Sequence, residues 1–386
     1  MTRAAGARPG SGEQARDADA CEARTERLMA RLRELGLDAL LVQSLVNVRY
    51  LTGFTGSSGM ALVMADPGGS RLGSHRFFSD FRYAEQSAEE VCGAYEREIV
   101  SGELIDALGA WISHAGGRLG FVEGTVTVKA HRLLAELTAG AWELVPCEDE
   151  VAHLRAVKDA GEIARIRAAA QLADAALSEV LEGGLAGRSE QEVALELEIR
   201  MRRLGAQSGS FPAIVAAGAH GALPHAQPRR VEIPRDVLVI IDWGALHEGY
   251  CSDCTRTYAT GEGVSERARE VYRLVLEAEL AGLAALRPGI SGRAADAAAR
   301  AVIDDAGEGE RFGHGLGHGV GLEIHEGPRL SRTASEAPLR PGSVVTVEPG
   351  VYIPGELGVR IEDLVVLGES SQEVLTGLSK ALTVIS

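Results

Sequence analysis

Apolar and polar residues follow one another in short blocks through the N-terminal third of the chain, and each block has the length of one strand or helix. Residues 22–36 carry apolar side chains at helical spacing, which predicts an amphipathic helix. The apolar run 37–44 predicts a strand, and 47–54 and 59–66 predict two more. A strand, a turn and a helix are predicted within 117–137. Strands that alternate with helices indicate an α/β domain.

Longer helical patterns alternate with hairpin patterns in the rest of the chain. Ser189 and Glu192 have the spacing of a capping box, which predicts a helix start. The predicted helices span about 157–183, 189–203, 264–286 and 292–306. The expected fold class is therefore α/β (α+β), built of two domains. The expected boundaries are 1–20 for a disordered leader, 21–148 for the first domain and 149–386 for the second.

The first hairpin pattern carries two aspartates placed symmetrically about its centre. Asp242 and Asp253 are equally far from the dipeptide His247-Glu248. A fold about that turn would set the two carboxylates opposite each other on neighbouring strands, with Cβ atoms about 4.5–5.5 Å apart. Like charges at that distance repel, so a cation between them is expected.

The second hairpin pattern repeats this arrangement with glutamates. Glu348 and Glu362 are equally far from Gly355, and apolar strand patterns flank both. The two hairpins together offer four carboxylates, which have the charge to neutralise two divalent ions and the oxygen ligands that such ions take.

A glycine-rich segment, 311–328, adds histidines to the candidate site. His314 and His318 alternate with glycines, and that much glycine argues against a helix. In an extended chain His314, Leu316, His318 and Val320 would share one face and the glycines the other. A face of glycines lets another backbone come very close, so this segment is expected to press against a sheet while it directs imidazoles into the site.

Five motifs of the second domain occur in a fixed order and resemble those of a known family. They are PHA at 224–226, IDWGALHEGYCSDCTRT at 241–257, HGLGHGVGLEIHE at 314–326, TVEPG at 346–350 and GVRIED at 358–363. The set resembles peptidase family M24, the metallopeptidases with the pita-bread fold, which include methionine aminopeptidase, aminopeptidase P, prolidase and creatinase. The resemblance covers roughly 155–386. It implies a dinuclear metal site whose ligands are Asp242, Asp253, His318, Glu348 and Glu362.

The resemblance also implies roles for the neighbours of these ligands. Glu348 would act as general base and then as acid, while His225, His314 and His325 would stabilise the tetrahedral intermediate or relay protons. Arg360 lies two residues from the last carboxylate, on the same strand face, where it can orient the ligands. One departure from the family is Trp243, where a smaller apolar residue is usual; we expect it to affect packing beside the ligand.

The N-terminal part resembles the first domain of aminopeptidase P and prolidase, through residues 47–63 and 77–87. The expected architecture is thus a creatinase-like N-terminal α/β domain followed by a pita-bread catalytic domain. The implied activity is that of an Xaa-Pro aminopeptidase, which cleaves peptides with proline at position two by attack of a metal-bridged hydroxide. Xaa-Pro dipeptidase (prolidase) activity is the alternative. Arg329 could bind a dipeptide carboxylate or lie at the surface, and both interpretations stay open.

The resemblance also implies a cofactor, an oligomeric state and an alternative, non-catalytic function. Two divalent metal ions are expected, with Mn²⁺ first and Co²⁺ or Zn²⁺ as alternatives, because all three accept nitrogen and oxygen ligands. A homodimer is expected by analogy. Some relatives keep the fold, lose the ligands and bind peptides or partner proteins without catalysis. The unbroken set of five ligands argues against that pseudoenzyme alternative.

Composition excludes several other classes. The formal net charge of −16 argues against a nucleic-acid partner. An apolar run of about 18 residues, enough to span a membrane, is missing from the sequence, and the N-terminus lacks the apolar stretch of a secretory signal. Five scattered cysteines do not make a disulfide framework, which favours a cytoplasmic location. Cys251 and Cys254 form a C-x-x-C that we interpret as plain strand cysteines.

Overall fold

The chain divides into two units, Met1–Arg155 and Ala156–Ser386, in a computed structural model that describes residues 11–69 and 73–386. The boundary falls after Arg155, where the sequence suggested residue 148. Residues 1–10 of the expected disordered leader lie outside the described residues. The first helix begins at Ser11, so it includes the second half of that leader and starts well before the predicted residue 22.

The first unit is a single sheet with helices around it. Its helices are α1 (Ser11–Glu34), α2 (Leu45–Thr52), α3 (Ala84–Glu90), α4 (Leu104–Ile112), α5 (Val128–Leu137) and α6 (Glu150–Arg155). Its strands are β1 (Ala39–Val42), β2 (Met60–Met64), β3 (His75–Asp80), β4 (Tyr95–Val100), β5 (Gly117–Val122) and β6 (Trp142–Cys147). The strand order is β4-β3-β2-β1-β5-β6, with β3–β4, β1–β5 and β5–β6 parallel and the other pairs antiparallel. This mixed sheet confirms the predicted α/β class.

One sequence prediction for this unit was wrong, and one covalent link was not foreseen. Residues 47–54 were expected to form a strand, but they lie largely in α2, which ends at Gly53 in the left-handed conformation (φ 83°). The β-branched and aromatic residues of this segment are tolerated in a helix because they pack into the core: Val48 and Tyr50 are buried. The scattered cysteines include one disulfide, Cys21–Cys92, which joins positions 71 residues apart. A contact of that sequence separation depends on tertiary packing.

The second unit combines helix pairs with small sheets. Its helices are α7 (Ala160–Leu181), α8 (Glu190–Leu204), α9 (Glu266–Ala285) and α10 (Gly292–Asp305). Its strands are β7 (Ser208–Gly209), β8 (Ile214–Ala217), β9 (Leu238–Trp243), β10 (Ala245–His247), β11 (Tyr250–Cys251), β12 (Cys254–Ala259), β13 (Gly317–Gly319), β14 (Glu326–Leu330), β15 (Val344–Val347), β16 (Gly350–Ile353), β17 (Leu357–Arg360), β18 (Asp363–Leu367) and β19 (Gln372–Val374).

These elements form three antiparallel sheets and one hairpin, in the orders β11-β10-β7, β12-β9-β8, β14-β13-β15-β18-β19 and β16-β17. All four predicted helices are confirmed within a few residues, and Ser189 with Glu192 makes the predicted capping box of α8. The pair α7 and α8 packs on β8 and β9 through an apolar core, while α9 and α10 pack on β14, β15 and β18. In the described part of the chain, none of the helices is long and apolar enough to cross a bilayer.

Candidate metal centre

The aspartate hairpin forms, but its register differs from the predicted one. In the pairing of β9 with β12, Asp242 lies opposite Thr255, and Asp253 immediately precedes β12. The turn is centred on Glu248-Gly249, both with positive φ (49° and 82°), instead of on His247-Glu248. Two residues of positive φ are what a tight I′ hairpin turn requires, and glycine at the second adopts that φ without strain. The two aspartates are therefore offset along the ladder, yet both reach the same site.

The glutamate hairpin has the predicted register. On one side of the carboxylate pair Val347 lies opposite Asp363, and on the other Gly350 lies opposite Arg360. Both pairings are symmetric about Gly355, which has a φ of 78° in the connecting turn. Glu348 and Glu362 thus face each other between two paired segments, as the symmetry of the sequence predicted.

The two hairpins meet at their carboxylates. One oxygen each of Asp242, Asp253 and Glu362 lies within 4.8 Å of the others, and all three residues are buried. Burial is the main cause of a raised pKa at each of these groups, and the neighbouring carboxylates add to it at Asp253 and Glu362, whose pKa values lie well above the usual range. A cluster of this kind is costly as pure protein structure, since each added negative charge raises the free energy of the others.

Unpartnered oxygens show that the cluster fits a cation. Within the described residues, Asp242 Oδ1 and Glu362 Oε1 are buried and have no hydrogen-bond partner. Buried polar atoms are nearly always paired, so these two oxygens need a ligand. Their hard, anionic character suits a divalent ion such as Mn²⁺, Zn²⁺ or Co²⁺. The residues present therefore fit the dinuclear centre that the resemblance implied.

His318 completes the donor set with a suitably oriented ring. Its Nδ1 lies 3.1 Å from the Gly319 carbonyl oxygen, which can only accept, so Nδ1 carries the hydrogen and Nε2 faces the carboxylates. His318 Nε2 is 3.2 Å from Glu348 Oε1 and 3.6 Å from Asp253 Oδ2. Burial opposes the charged form of both partners, but the His318 hydrogen bond and charge outweigh it at Glu348 and lower the pKa of that carboxyl to about 2. All five predicted ligands lie on one cavity.

The glycine-rich segment packs as the sequence predicted on its glycine face. A Cβ at Gly317 would collide with the Thr346 carbonyl oxygen, and one at Gly319 with the Gly327 carbonyl oxygen. The prediction that His314, Leu316, His318 and Val320 share one face was wrong. Leu316 and Val320 belong to two different apolar cores, because the ladder is irregular between His318 and Gly319.

Arg360 connects the two halves of the site. Its Nη2 donates to Asp242 Oδ2 at 2.5 Å, and its Nε donates to the Thr255 hydroxyl at 3.1 Å. Thr255 donates in turn to Glu362 Oε2 at 2.7 Å. Arg360 is buried, and it orients carboxylates from both hairpins. Sequence reasoning found Arg360 but missed Thr255, although its place two residues after Asp253 on the same strand face was a usable signal.

Tyr352 is a second residue that the sequence analysis missed. Its hydroxyl accepts from Arg360 Nη1 at 2.8 Å and lies 2.9 Å from His314 Nε2. The other ring nitrogen of His314 lies 2.8 Å from the Gly315 carbonyl oxygen, so both nitrogens are already used within the protein. Burial lowers the pKa of His314, which favours the neutral ring that this pattern needs. Tyr352 lies opposite Gly358 on the paired strand, two positions from Arg360. This diagonal relationship follows from the observed register.

His225 and His325 are the more accessible of the predicted helper residues. Both are exposed and line the cavity. The His325 ring contacts that of His318, with centroids 4.3 Å apart, and burial together with the His318 charge lowers the pKa of His325. His225 makes no hydrogen bond to the described part of the chain. The structure thus brings together every residue that the sequence assigned to the site.

The cavity beside the metal centre has a volume of about 1150 Å³. Phe211, Pro212 and Ile214 give it an apolar wall, and Arg329 lines it from β14. Arg329 is exposed and has no ion-pair partner within the described residues. The cavity is thus suited to a ligand that has an apolar part and an anionic group.

The unusual Trp243 affects packing, as expected. Its ring is fully buried in the core between α7, α8 and β9, and its Nε1 donates to the Ala173 carbonyl oxygen at 2.9 Å. Cys251 and Cys254 are buried and are not part of the disulfide. Cys251 lies in an apolar core, and the Cys254 thiol donates to the Glu362 carbonyl oxygen. They are strand cysteines, as interpreted from the sequence.

Comparison with known proteins gives consistent matches over both units. The profile of metallopeptidase family M24 matches residues 164–369, and that of the creatinase/prolidase N-terminal domain matches 24–157. A peptidase from Bacillus subtilis, YqhT, is 42% identical over 93% of this chain and 99% of its own length.

Two solved structures resemble both the sequence and the fold. The Xaa-Pro dipeptidase from Bacillus anthracis is 40% identical with a TM-score of 0.88, covering 94% of this chain and 99% of its own. The X-Pro aminopeptidase from Thermotoga maritima is 36% identical with a TM-score of 0.83, covering 94% and 100%.

Proposed function

This chain belongs to metallopeptidase family M24, and we propose that it hydrolyses the peptide bond between an N-terminal residue and a following proline. The observation that carries the proposal is the intact donor set at one end of an accessible cavity. Three carboxylates converge within 4.8 Å, two of their oxygens have no partner among the residues that the structure describes, and His318 Nε2 faces them. A binding protein without catalysis would have no need of this costly cluster.

The protein side chains have separable tasks in this proposal. Asp242, Asp253, His318, Glu348 and Glu362 would hold two divalent cations, Mn²⁺ by preference. When bound, such ions supply Lewis-acid polarisation of a carbonyl and lower the pKa of water. Glu348, at the cavity surface, would accept a proton and return it to the leaving nitrogen.

The remaining polar residues would act on the substrate or on the ligands. His325 and His225 are free to donate hydrogen bonds to the substrate carbonyl as it gains negative charge. Arg360 and Tyr352 would hold the ligand carboxylates and His314 in place. Because both nitrogens of His314 are bonded within the protein, its share in proton transfer would pass through Tyr352.

Proline at the second position suits a site of this kind. The proline nitrogen has no hydrogen to donate, and its ring fixes φ. An apolar wall such as that of Phe211, Pro212 and Ile214 gains contact with the pyrrolidine ring and offers no acceptor that would be left unpaired. A substrate that brings an N–H against such a wall would lose a hydrogen bond to water, at a cost of about 1–3 kcal/mol.

Substrate length is the finer part of the proposal. Arg329 lines the cavity and has no ion-pair partner in the described part of the chain, and the carboxylate of an Xaa-Pro dipeptide is a natural partner for it. We therefore put Xaa-Pro dipeptidase activity first. Xaa-Pro aminopeptidase activity, which the sequence favoured, is the second candidate. The cavity volume of about 1150 Å³ supports it, since that leaves room for longer peptides.

A peptide panel tests the function. The protein is stripped with a chelator, reloaded with Mn²⁺ and assayed on X-Pro, X-Pro-X, X-Ala-X and Met-Ala-X peptides. The proposal expects cleavage of the proline peptides, with X-Ala-X much poorer. Faster cleavage of Met-Ala-X than of every proline peptide would refute it, and no cleavage of any peptide would favour the non-catalytic alternative.

The variant Arg329→Met then distinguishes dipeptidase from aminopeptidase activity. Loss of the guanidinium should raise KM for X-Pro dipeptides by about 10-fold or more and leave X-Pro-X almost unchanged, because a bidentate charge-assisted contact is removed. Arg332→Met, three residues further along the chain and outside the cavity lining, is the matched control. An equal effect of Arg329→Met on both substrate lengths would make the aminopeptidase the better assignment.

A further inference from the structure

One buried carboxylate outside the metal centre has an unusual number of donors. Glu190, the first residue of α8, is 1% exposed. It accepts from the Ala217 backbone N–H at 3.0 Å and lies 2.9 Å from His220 Nδ1. It also accepts from Arg229 through the backbone N–H at 3.0 Å, Nε at 3.0 Å and Nη2 at 2.9 Å. A single carboxylate therefore has donors from three positions of one loop.

These donors bracket the loop that carries His225. Ala217 and His220 lie at its beginning and Arg229 at its end, so Glu190 ties the two ends of segment 217–229 together. The middle of the loop has a separate attachment, because Arg360 Nη1 donates to the Pro224 carbonyl oxygen at 3.2 Å. Arg360 also binds Asp242, so this attachment relates the loop directly to the metal centre.

The imidazole of His225 depends on this loop for its position. It lines the cavity but makes no hydrogen bond to the described part of the chain. Side-chain contacts therefore do little to hold it, and the backbone on either side must do so. Burial by itself would raise the pKa of Glu190, but the hydrogen bonds from Arg229 and the two backbone N–H groups outweigh it and lower the pKa, so the carboxylate stays ionised. Ionised acceptors make the stronger hydrogen bonds that such a clamp needs.

We propose that Glu190 is a positioning residue which fixes the His225 loop at the cavity and thereby sets the contact of His225 with the substrate. This inference rests on the proposed peptidase function. It assigns Glu190 no contact with substrate or metal. Its effect on the reaction is transmitted through the ends of the loop, and Arg229 is its principal partner.

The test uses Glu190→Gln with Glu196→Gln as the matched control. The amide keeps the shape of Glu190 but turns an NH₂ group toward the donors of Arg229. Glu196 lies on the same helix and pairs with Arg188 and Arg200, away from the loop. In Mn²⁺-loaded protein, Glu190→Gln should lower kcat by about 10–100-fold, since a misplacement of about 1 Å can cost that much. The metal content of both variants should match that of wild type, and so should the kcat of Glu196→Gln.

A double-mutant cycle separates positioning from general destabilisation. If Glu190 acts through His225, Glu190→Gln/His225→Ala should be no slower than His225→Ala alone. Multiplied effects of the two substitutions would overturn the proposal, as would a wild-type kcat in Glu190→Gln.

Hydrogen exchange gives a readout that does not depend on activity. Backbone amides within 217–231 should exchange faster in Glu190→Gln, while those of β9 and β12 stay protected. If Glu190→Gln does not fold, Arg229→Met tests the same clamp from its exposed partner, with the same expected exchange. Unchanged exchange of the loop overturns the clamp. If wild type cleaves none of the peptides, faster exchange in the variant still upholds the clamp, and only the proposed function is refuted.

Discussion

Thr255 and Glu362 join the two hairpins of the metal centre through both backbone and side chain. The Glu362 backbone N–H donates to the Thr255 carbonyl oxygen at 3.0 Å, and the Thr255 hydroxyl donates to Glu362 Oε2 at 2.7 Å. The same hydroxyl accepts from Arg360 Nε, so one small side chain contacts both a proposed ligand, Glu362, and the arginine that binds Asp242, a second proposed ligand. This relationship brings the aspartate and glutamate pairs together as a single site.

Removal of the Thr255 hydroxyl should weaken metal binding without unfolding the protein. Thr255→Val keeps the volume of the fully buried side chain but leaves Glu362 Oε2 and Arg360 Nε without their partner. Loss of such a supporting contact typically costs about 10–100-fold in metal affinity, and that is the expected change in a Mn²⁺ titration. Thr255→Ser, which keeps the hydroxyl, should bind nearly as wild type. A Thr255→Val protein with wild-type affinity would contradict this account of the bridge.

Metal-free protein should lose stability as pH rises. Folding raises the pKa of Asp253 and Glu362, so the folded state binds more protons than the unfolded state above about pH 4, the usual carboxyl pKa. Their contribution is fully present below that pH and is lost as pH rises through the folded-state pKa. His318, whose pKa is raised mainly by Glu348 against the effect of burial, acts in the same direction.

Urea unfolding between about pH 5 and about pH 8, with chelator or with Mn²⁺, measures this dependence. The chelated protein should weaken with increasing pH, and Mn²⁺ should stabilise it most at the upper end, where the carboxylates are ionised. Asp253→Asn/Glu362→Gln should flatten the profile of the chelated protein. A chelated wild type whose stability does not fall relative to that of Asp253→Asn/Glu362→Gln over this range would show that the carboxylate cluster does not behave as described.

Ligands and helpers should separate by metal content. Asp253→Ala and Glu362→Ala each remove an anionic donor and should lose metal on elemental analysis. His325→Ala and His225→Ala should retain most of it and lose rate by about 10²–10⁴, the range for a proton-transfer or stabilising group. His318→Ala serves as the comparison for histidine ligands. Full metal occupancy in Asp253→Ala and Glu362→Ala would invalidate the assigned site, and metal loss in His325→Ala equal to that in His318→Ala would reassign His325 as a ligand.

Arg300 should stabilise the glycine-rich segment that carries His314 and His318. It makes two 2.8 Å bonds to Asp296 and donates to the carbonyl oxygens of Phe312 and His314 at 2.9 and 2.7 Å. Lysine cannot reproduce this planar fork, so Arg300→Lys should lower the free energy of unfolding by about 1–3 kcal/mol through unpaired buried groups. Arg293→Lys, on the same helix and about half exposed, is the control for urea unfolding. Equal unfolding midpoints for the two variants would contradict the role of Arg300.

Local rules of sequence were sufficient for most elements of the second unit. The capping box at Ser189 and the helical periodicities fixed α7 to α10, because caps and amphipathic spacing act within a few residues. The glutamate hairpin was also predictable, since Gly355 occupies the positive-φ position of its turn and the carboxylates are symmetric about it. The predicted register of the aspartate hairpin was shifted, because the two aspartates are symmetric about His247-Glu248 whereas Gly249 supplies the positive φ that the turn needs.

Tertiary packing determined the features that local sequence patterns do not predict. Residues 47–54 have the composition of a strand, yet they lie largely in a helix whose Val48 and Tyr50 pack into the core. Arg360, Thr255 and Tyr352 form one network only because two hairpins more than a hundred positions apart lie side by side, as the 107-residue separation of Thr255 and Glu362 illustrates. The sequence by itself determined which side chains could bind metal, since charge and donor type belong to each residue. Which of their atoms meet, and which residues hold them there, depends on contacts between distant segments that form only when the whole unit folds.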